Sequence, residues 1–233
     1  MLLPDHLLSG TLVRRYNRFL ADVQLDDDRI ITAHTPNTGS MLGCSTPGMR
    51  VWLSRAENPK RKYGWTWEIT EACPGTLVGI HTGRSNSLVW EALAAGKVTE
   101  LSGYAPVRRE VVVPLGRLDM LLEDSRGHTC YLEVKNVTAV DGHHAAIFPD
   151  AVSARASRHL EALAGMALTG HRAVIFFCVQ RGDARCLSPA DAIDPFYGQT
   201  LRRVVQQGVE ALAWQARVEE REIFLEKPLP VVL

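Results

Sequence analysis

Apolar and polar positions change rhythm once along this chain, near residue 84. Before that point short alternating runs dominate: Thr11-Leu12-Val13, Phe19 to Leu25, Arg29 to His34, Arg50 to Leu53 and Trp65 to Thr70. Turn residues separate them at Asp26-Asp27-Asp28, Pro36-Asn37-Thr38-Gly39 and Pro47-Gly48. Alternation implies one buried face per strand. Strands this closely spaced without helices predict a small closed barrel. An OB-like fold is the natural candidate, and another five-stranded barrel fits the same pattern.

Beyond residue 84 helical spacing enters. Ser85 or Asn86 is placed to cap a helix whose apolar positions are Leu88, Val89, Ala92 and Leu93, stopping at Gly96. A strand follows at Arg108 to Val113, then a hairpin: Arg117 to Leu122 and Tyr131 to Lys135 flank a polar tip, Glu123 to Gly127. Phe148-Pro149-Asp150 opens a second helix with Asp150 as its N-cap and an apolar stripe of Val152, Leu160, Leu163, Ala164 and Ala167. The unbroken apolar run Ala173 to Val179 predicts a strand covered on both faces. Residues 198–207 form a further helix, Val209 to Val218 a last strand, and Pro228-Leu229-Pro230 an irregular tail. Helix, three strands, helix, strand predicts an α/β sandwich with a mixed sheet. The expected division is a barrel over residues 1–84 and an α/β domain over 85–233.

The hairpin carries the candidate chemistry. Glu133 and Lys135 point to one face of their strand and Val134 to the other. Asp119 sits inside an apolar run of Leu118, Met120, Leu121 and Leu122, a costly place for an unpaired carboxylate. With Asp119 opposite Glu133, two repelling carboxylates and an ammonium converge, and a hard cation such as Mg²⁺ or Mn²⁺ relieves the repulsion. This arrangement resembles the Asp…Glu-x-Lys core of the PD-(D/E)xK nucleases. Glu-x-Lys alone is also common on a solvated edge strand; the buried setting of Asp119 favours the functional reading. The expected metal ligands are Asp119, Glu133 and the Val134 carbonyl, with Lys135 positioning water. Glu91 on the first helix is a further candidate ligand, or an ordinary exposed helix glutamate. Arg155, Arg158 and His159 share one helical face, suited to phosphate oxygens.

Two segments of the first half interleave cations with rings: Arg14-Arg15-Tyr16-Asn17-Arg18-Phe19 and Lys60-Arg61-Lys62-Tyr63. Cations neutralise phosphates and rings stack on bases, so Arg14, Arg15, Arg18, Lys60, Arg61 and Lys62 are candidate nucleic-acid contacts. The alternative makes Tyr16 and Phe19 core residues and the cations a solvated face. His34 and Asn37 beside the turn residues fit turn geometry, with phosphate or ring contacts as the alternative.

Composition narrows the setting. The 233 residues are 46% apolar and 22% charged, with a formal net charge of zero. A histone-like basic binder is excluded, whereas a local basic groove is not. The five cysteines form no Cys-x-x-Cys pair, so neither a zinc site nor a disulfide framework is indicated. Pro4 and Asp5 interrupt the N-terminus too early for a signal peptide, and no apolar run reaches membrane-spanning length. A soluble cytoplasmic protein without membrane contact is expected.

Several segments together resemble the bacterial sugar fermentation stimulation protein A family over nearly the whole chain. They are Arg15 to Val23, His34 to Met41, Lys60 to Tyr63, Glu100 to Tyr104, Glu133 to Thr138, Phe148 to Val152 and His171 to Phe177. The resemblance implies an N-terminal OB-like domain, a nuclease-like second domain, non-specific DNA binding and a regulatory link to maltose metabolism. Asp119, Glu133 and Lys135 match the nuclease core. Ala156 and Arg158 depart from residues common in relatives and do not touch the carboxylates. The expected function is a DNA-binding protein with a divalent-metal-dependent phosphodiesterase site. The alternatives are a non-catalytic DNA-binding regulator and a small-molecule-responsive protein. Oligomeric state stays open, a homodimer included.

Overall fold

The computed structural model describes residues 1–56, 58 and 60–233. The first half supplies strands β1 (Leu8–Tyr16), β2 (Leu20–Leu25), β3 (Ile30–His34), β4 (Arg50–Arg55), β5 (Trp65–Cys73) and β6 (Thr76–Gly79). They run in the order β3-β2-β1-β4-β5-β6, and a parallel contact between His34 of β3 and Thr66 of β5 closes the first five into a barrel. Inward positions alternate as the sequence implied: Leu12, Val23, Ala33, Val51, Leu53 and Trp67 fill the lumen. Trp67 is fully buried, and its indole N–H donates to the Ile69 carbonyl at 2.9 Å, so its one polar atom is satisfied. The N-terminal OB barrel is therefore as expected, with β6 an additional strand that the pattern did not announce.

The second half contains helix α1 (Thr82–Ala94), β7 (Tyr104–Val113), β8 (Gly116–Asp124), β9 (Thr129–Val137), β10 (Ala139–Val140) and β11 (Ala145–Phe148). Next come α2 (Ala154–Leu168), β12 (Arg172–Val179), β13 (Cys186–Pro189), α3 (Pro195–Gln206), β14 (Glu210–Val218) and β15 (Ile223–Leu229). Its main sheet has the order β15-β14-β12-β9-β8-β7, with β12 parallel to both β9 and β14 and the remaining pairs antiparallel. α1 covers one face through Leu88, Val89 and Leu93 against Met120, Leu132 and Phe176. α2 and α3 cover the other through Leu160, Leu163, Leu201 and Val204 against Ile175 and Phe177. β12 is thus buried on both sides, which is why its apolar run is unbroken.

Four local expectations are corrected. Helix α1 begins at Thr82 with His81 at its N-cap position, so neither Ser85 nor Asn86 caps it. Asp150 does not cap α2: Ser153 does, its Oγ accepting from the Ala156 N–H at 3.2 Å. Asp150 instead accepts from the Ser40 hydroxyl at 3.1 Å and the Met41 N–H at 2.9 Å, tying the second domain to a barrel loop. Val152 lies outside the helix and is exposed. The Pro228 tail is no irregular coil but the edge strand β15, where a residue without an N–H is tolerated.

Candidate metal and nucleic-acid site

The site arises where the β8–β9 hairpin comes apart. Its antiparallel ladder runs from Glu123↔Thr129 to Met120↔Leu132 and stops there. One step further, the Val134 N–H has no β8 carbonyl to meet. The Asp119 carboxylate takes it instead, at 2.8 Å, while its other oxygen accepts from Asn86 of α1 at 2.9 Å. Burial, then the neighbouring Glu133 charge, pushes the Asp119 carboxyl up to about 6 against these stabilising bonds.

Glu133 is 2% exposed. Its Oε1 accepts from Lys135 Nζ at 2.6 Å and meets Nδ1 of His159 on α2. Its Oε2 has no hydrogen-bond partner. Burial would raise this carboxyl, but His159 and Lys135 outweigh it and hold it below the usual range. Lys135 Nζ lies 3.3 Å from His159 Nδ1, and Arg155 Nε lies 3.4 Å from His159 Nε2. Asn136 anchors the floor, its Oδ1 accepting from the Ser85 hydroxyl at 2.8 Å and from Gln180.

These groups line a cleft of about 400 Å³ whose opposite wall is the barrel loop Asn37-Thr38-Gly39. Asp119, Glu133, Val134, Lys135, Arg155 and His159 all face it. Arg158 does not line it and is exposed elsewhere on α2. Glu91 is a correction. It lies about 140° round the helix from Asn86, is half exposed, and pairs with the Met1 amine at 3.0 Å, so it does not join the carboxylates. Asn86, Asn136, Thr38, Gly39 and Asp150 complete the cleft without having been anticipated there, and Asn37, read mainly as a turn residue, lines it too. Asn86 carried only a helix-cap signal, and Asn136 stood immediately after Glu-x-Lys with nothing to mark its direction.

The barrel cations divide. Arg14 pairs with Asp22 at 2.8 Å and lies over the Tyr16 ring. Arg15 is a second correction: its Nη2 donates to the carbonyls of Arg18, Asn37 and Gly39 at 2.6, 2.9 and 2.9 Å. It braces the cleft loop rather than a phosphate. Arg18, Lys60, Arg61 and Lys62 are exposed.

An OB barrel joined to a mixed sheet covered by helices defines a two-domain class of protein. Two family models match the chain in that arrangement: the SfsA N-terminal OB domain over residues 13–80 and the sugar fermentation stimulation protein RE domain over 83–222. The chain belongs to the sugar fermentation stimulation protein family. It is 54% identical to the homolog of Alkalilimnicola ehrlichii over 99% of each chain. It is 56% identical to that of Thioalkalivibrio sulfidiphilus over 97% of this chain and 96% of the relative. The SfsA of Pyrococcus furiosus, solved in complex with Ca²⁺, superposes with a TM-score of 0.91 at 27% identity, covering 100% of this chain and 98% of that one. No helix among the described residues is long and apolar enough to cross a membrane.

Proposed function

We propose that the protein grips DNA non-specifically and hydrolyses phosphodiester bonds with a divalent cation, Mg²⁺ or Mn²⁺, held by Asp119, Glu133 and the Val134 carbonyl. The observation that carries this reading is Glu133 Oε2, a buried carboxylate oxygen with no protein partner. Such an atom is expensive unless something else completes it, and hard cations take carboxylate oxygens. The Asp119 carboxyl, raised by burial and then by the Glu133 charge, supports the same reading, since two buried carboxylates side by side favour an intervening cation. The Val134 carbonyl shares a strand edge with the N–H that Asp119 accepts. The Ca²⁺ of the Pyrococcus relative is a further support.

When bound, the ion would acidify water and neutralise charge on the phosphoryl oxygen. The remaining work falls to the chain. Asn86 and the Val134 N–H hold the Asp119 carboxylate in orientation. Lys135 holds the attacking water and carries positive charge to the developing negative oxygens. Arg155 at the cleft wall steadies the phosphate. His159, against Glu133, belongs to the carboxylate site rather than to a phosphate-gripping surface.

A second reading, a non-catalytic DNA-binding regulator, is favoured by one observation. Among the described residues no three His, Cys, Asp or Glu side chains form a ready cation cage. In that case the tie to sugar metabolism runs through DNA occupancy. Supercoiled plasmid incubated with purified protein separates the two. The wild type nicks with Mn²⁺ and not with EDTA, and Glu133→Gln or Lys135→Ala lowers nicking about a hundredfold while gel shifts persist. Gel shifts without any nicking by the wild type would leave the second reading standing, and nicking retained by both variants would identify a contaminant.

A further inference from the structure

We infer that the substrate of this cleft is an unpaired nucleic-acid strand, stacked on Phe19 before it enters, rather than an intact duplex. The inference rests on the phosphodiesterase reading above and names its substrate class. Phe19 is 47% exposed at the tip of the β1–β2 hairpin, where left-handed backbone at Asn17 and Arg18 turns the chain. One exposed ring is ordinary by itself. Its position is what matters. The Phe19 carbonyl accepts from the Thr35 N–H at 2.8 Å, two residues before Asn37. Arg15 then bonds the Arg18 carbonyl and the carbonyls of Asn37 and Gly39 with a single guanidinium nitrogen. The ring, the Arg18 cation and the cleft wall are therefore one braced unit. Arg61 stands at the same end of the barrel, bonded to Thr66, which pairs with His34.

The cleft itself argues for one strand. Glu133 lies at its floor between the barrel loop and the start of α2. Asp150 joins the two walls by bonding Ser40 and Met41. Gly39 approaches Asp150 so closely that a Cβ would lie 2.8 Å from a carboxylate oxygen, so that wall has no slack. A duplex presents its phosphates on a broad convex surface with its bases stacked inside. A lone strand passes between two walls and leaves its bases free for a surface ring.

Fluorescence anisotropy with Ca²⁺ present tests this, using a DNA oligonucleotide single-stranded or annealed, and an RNA of the same sequence to separate the sugars. The unpaired DNA is expected to bind about tenfold tighter than the duplex. Phe19→Ala is expected to lose roughly fivefold or more in single-strand affinity and to change duplex affinity less than twofold. Phe19→Trp is expected to retain affinity, with emission quenched by the single strand and not by the duplex. Unpaired RNA binding in place of DNA would support the inference with the other sugar. Equal or tighter duplex binding, or a Phe19→Ala variant with unchanged single-strand affinity, would overturn this inference alone. Absence of binding to every probe would overturn it together with the reading beneath it.

Discussion

Two glutamates in this protein are equally buried and differently completed. Glu68 in the barrel and Glu133 in the second domain are each 2% exposed. Glu68 receives Arg84 Nε and Nη2 at 2.7 and 2.8 Å on its two oxygens, and the Ser54 hydroxyl at 2.7 Å. Burial would raise its carboxyl, but Arg84 and Ser54 hold it below the usual range. Nothing is missing around it. Glu133 has all its partners on one oxygen and none on the other. Burial alone therefore does not mark function. A complete hydrogen-bond shell identifies a structural ion pair, whereas an incomplete shell beside a second carboxylate points to a ligand.

The comparison can be broken most forcefully at Arg84. Arg84→Met leaves Glu68 charged, buried and unpaired, and is expected to lose about 3 kcal/mol or more in urea unfolding. Plasmid nicking under folding conditions should survive. A loss below roughly 1 kcal/mol would mean that the Glu68 pair is not structural in the sense argued.

Acidity gives Asp119 and Glu68 opposite signatures. Asp119 keeps its proton to about 6 when folded, against an ordinary value of 3.8. Between those values the folded state binds more protons than the unfolded one. The contribution of Asp119 to the stability of the metal-free protein should therefore fall as pH rises from about 4 to about 6, by up to roughly 3 kcal/mol, then level off. Glu68 is depressed from 4.5, so its contribution is present above that value and disappears as pH falls through its lower folded value. Asp119→Asn should remove the first contribution and Arg84→Met the second, each read as the difference between the pH-dependent unfolding curves of variant and wild type.

A divalent ion sharpens the contrast further. Mn²⁺ at a hundred times its dissociation constant is expected to stabilise the wild type by about 2.7 kcal/mol, visible as a rise in melting temperature. Asp119→Asn should lose that rise and Arg84→Met should retain it. The smallest effect is expected at Glu91, an exposed partner of the Met1 amine. Glu91→Gln should shift stability by no more than about 0.5 kcal/mol and leave the Mn²⁺ response intact. A lost response would restore it as a ligand.

Much of the scaffold was legible along the chain because it depends on local periodicity. The barrel strands alternate, β12 is a continuous apolar run, and the α1 stripe is spaced as a helix. What escaped depended on partners distant in sequence. Asp150 and Ser153 are both good cap residues, and only the nearness of Ser40 and Met41 drew Asp150 away. Arg15 sits in a basic run that reads as a phosphate grip, yet the folded loop supplies three carbonyls that claim its guanidinium. Glu91 lies on the right helix at the wrong angle.

Side-chain alternation along the hairpin was enough to put Asp119, Glu133 and Lys135 forward as one group, and turn chemistry and apolar spacing were enough to divide barrel from sandwich. These follow from backbone geometry that each short segment carries within itself. Where the β8–β9 ladder ends, which oxygen of Glu133 goes unpartnered, and which barrel loop walls the cleft were decided only by assembly. Such features are set by competition for hydrogen bonds among groups as far apart as Ser40 and Asp150, 110 residues along the chain, and that competition exists only once the two domains are packed together.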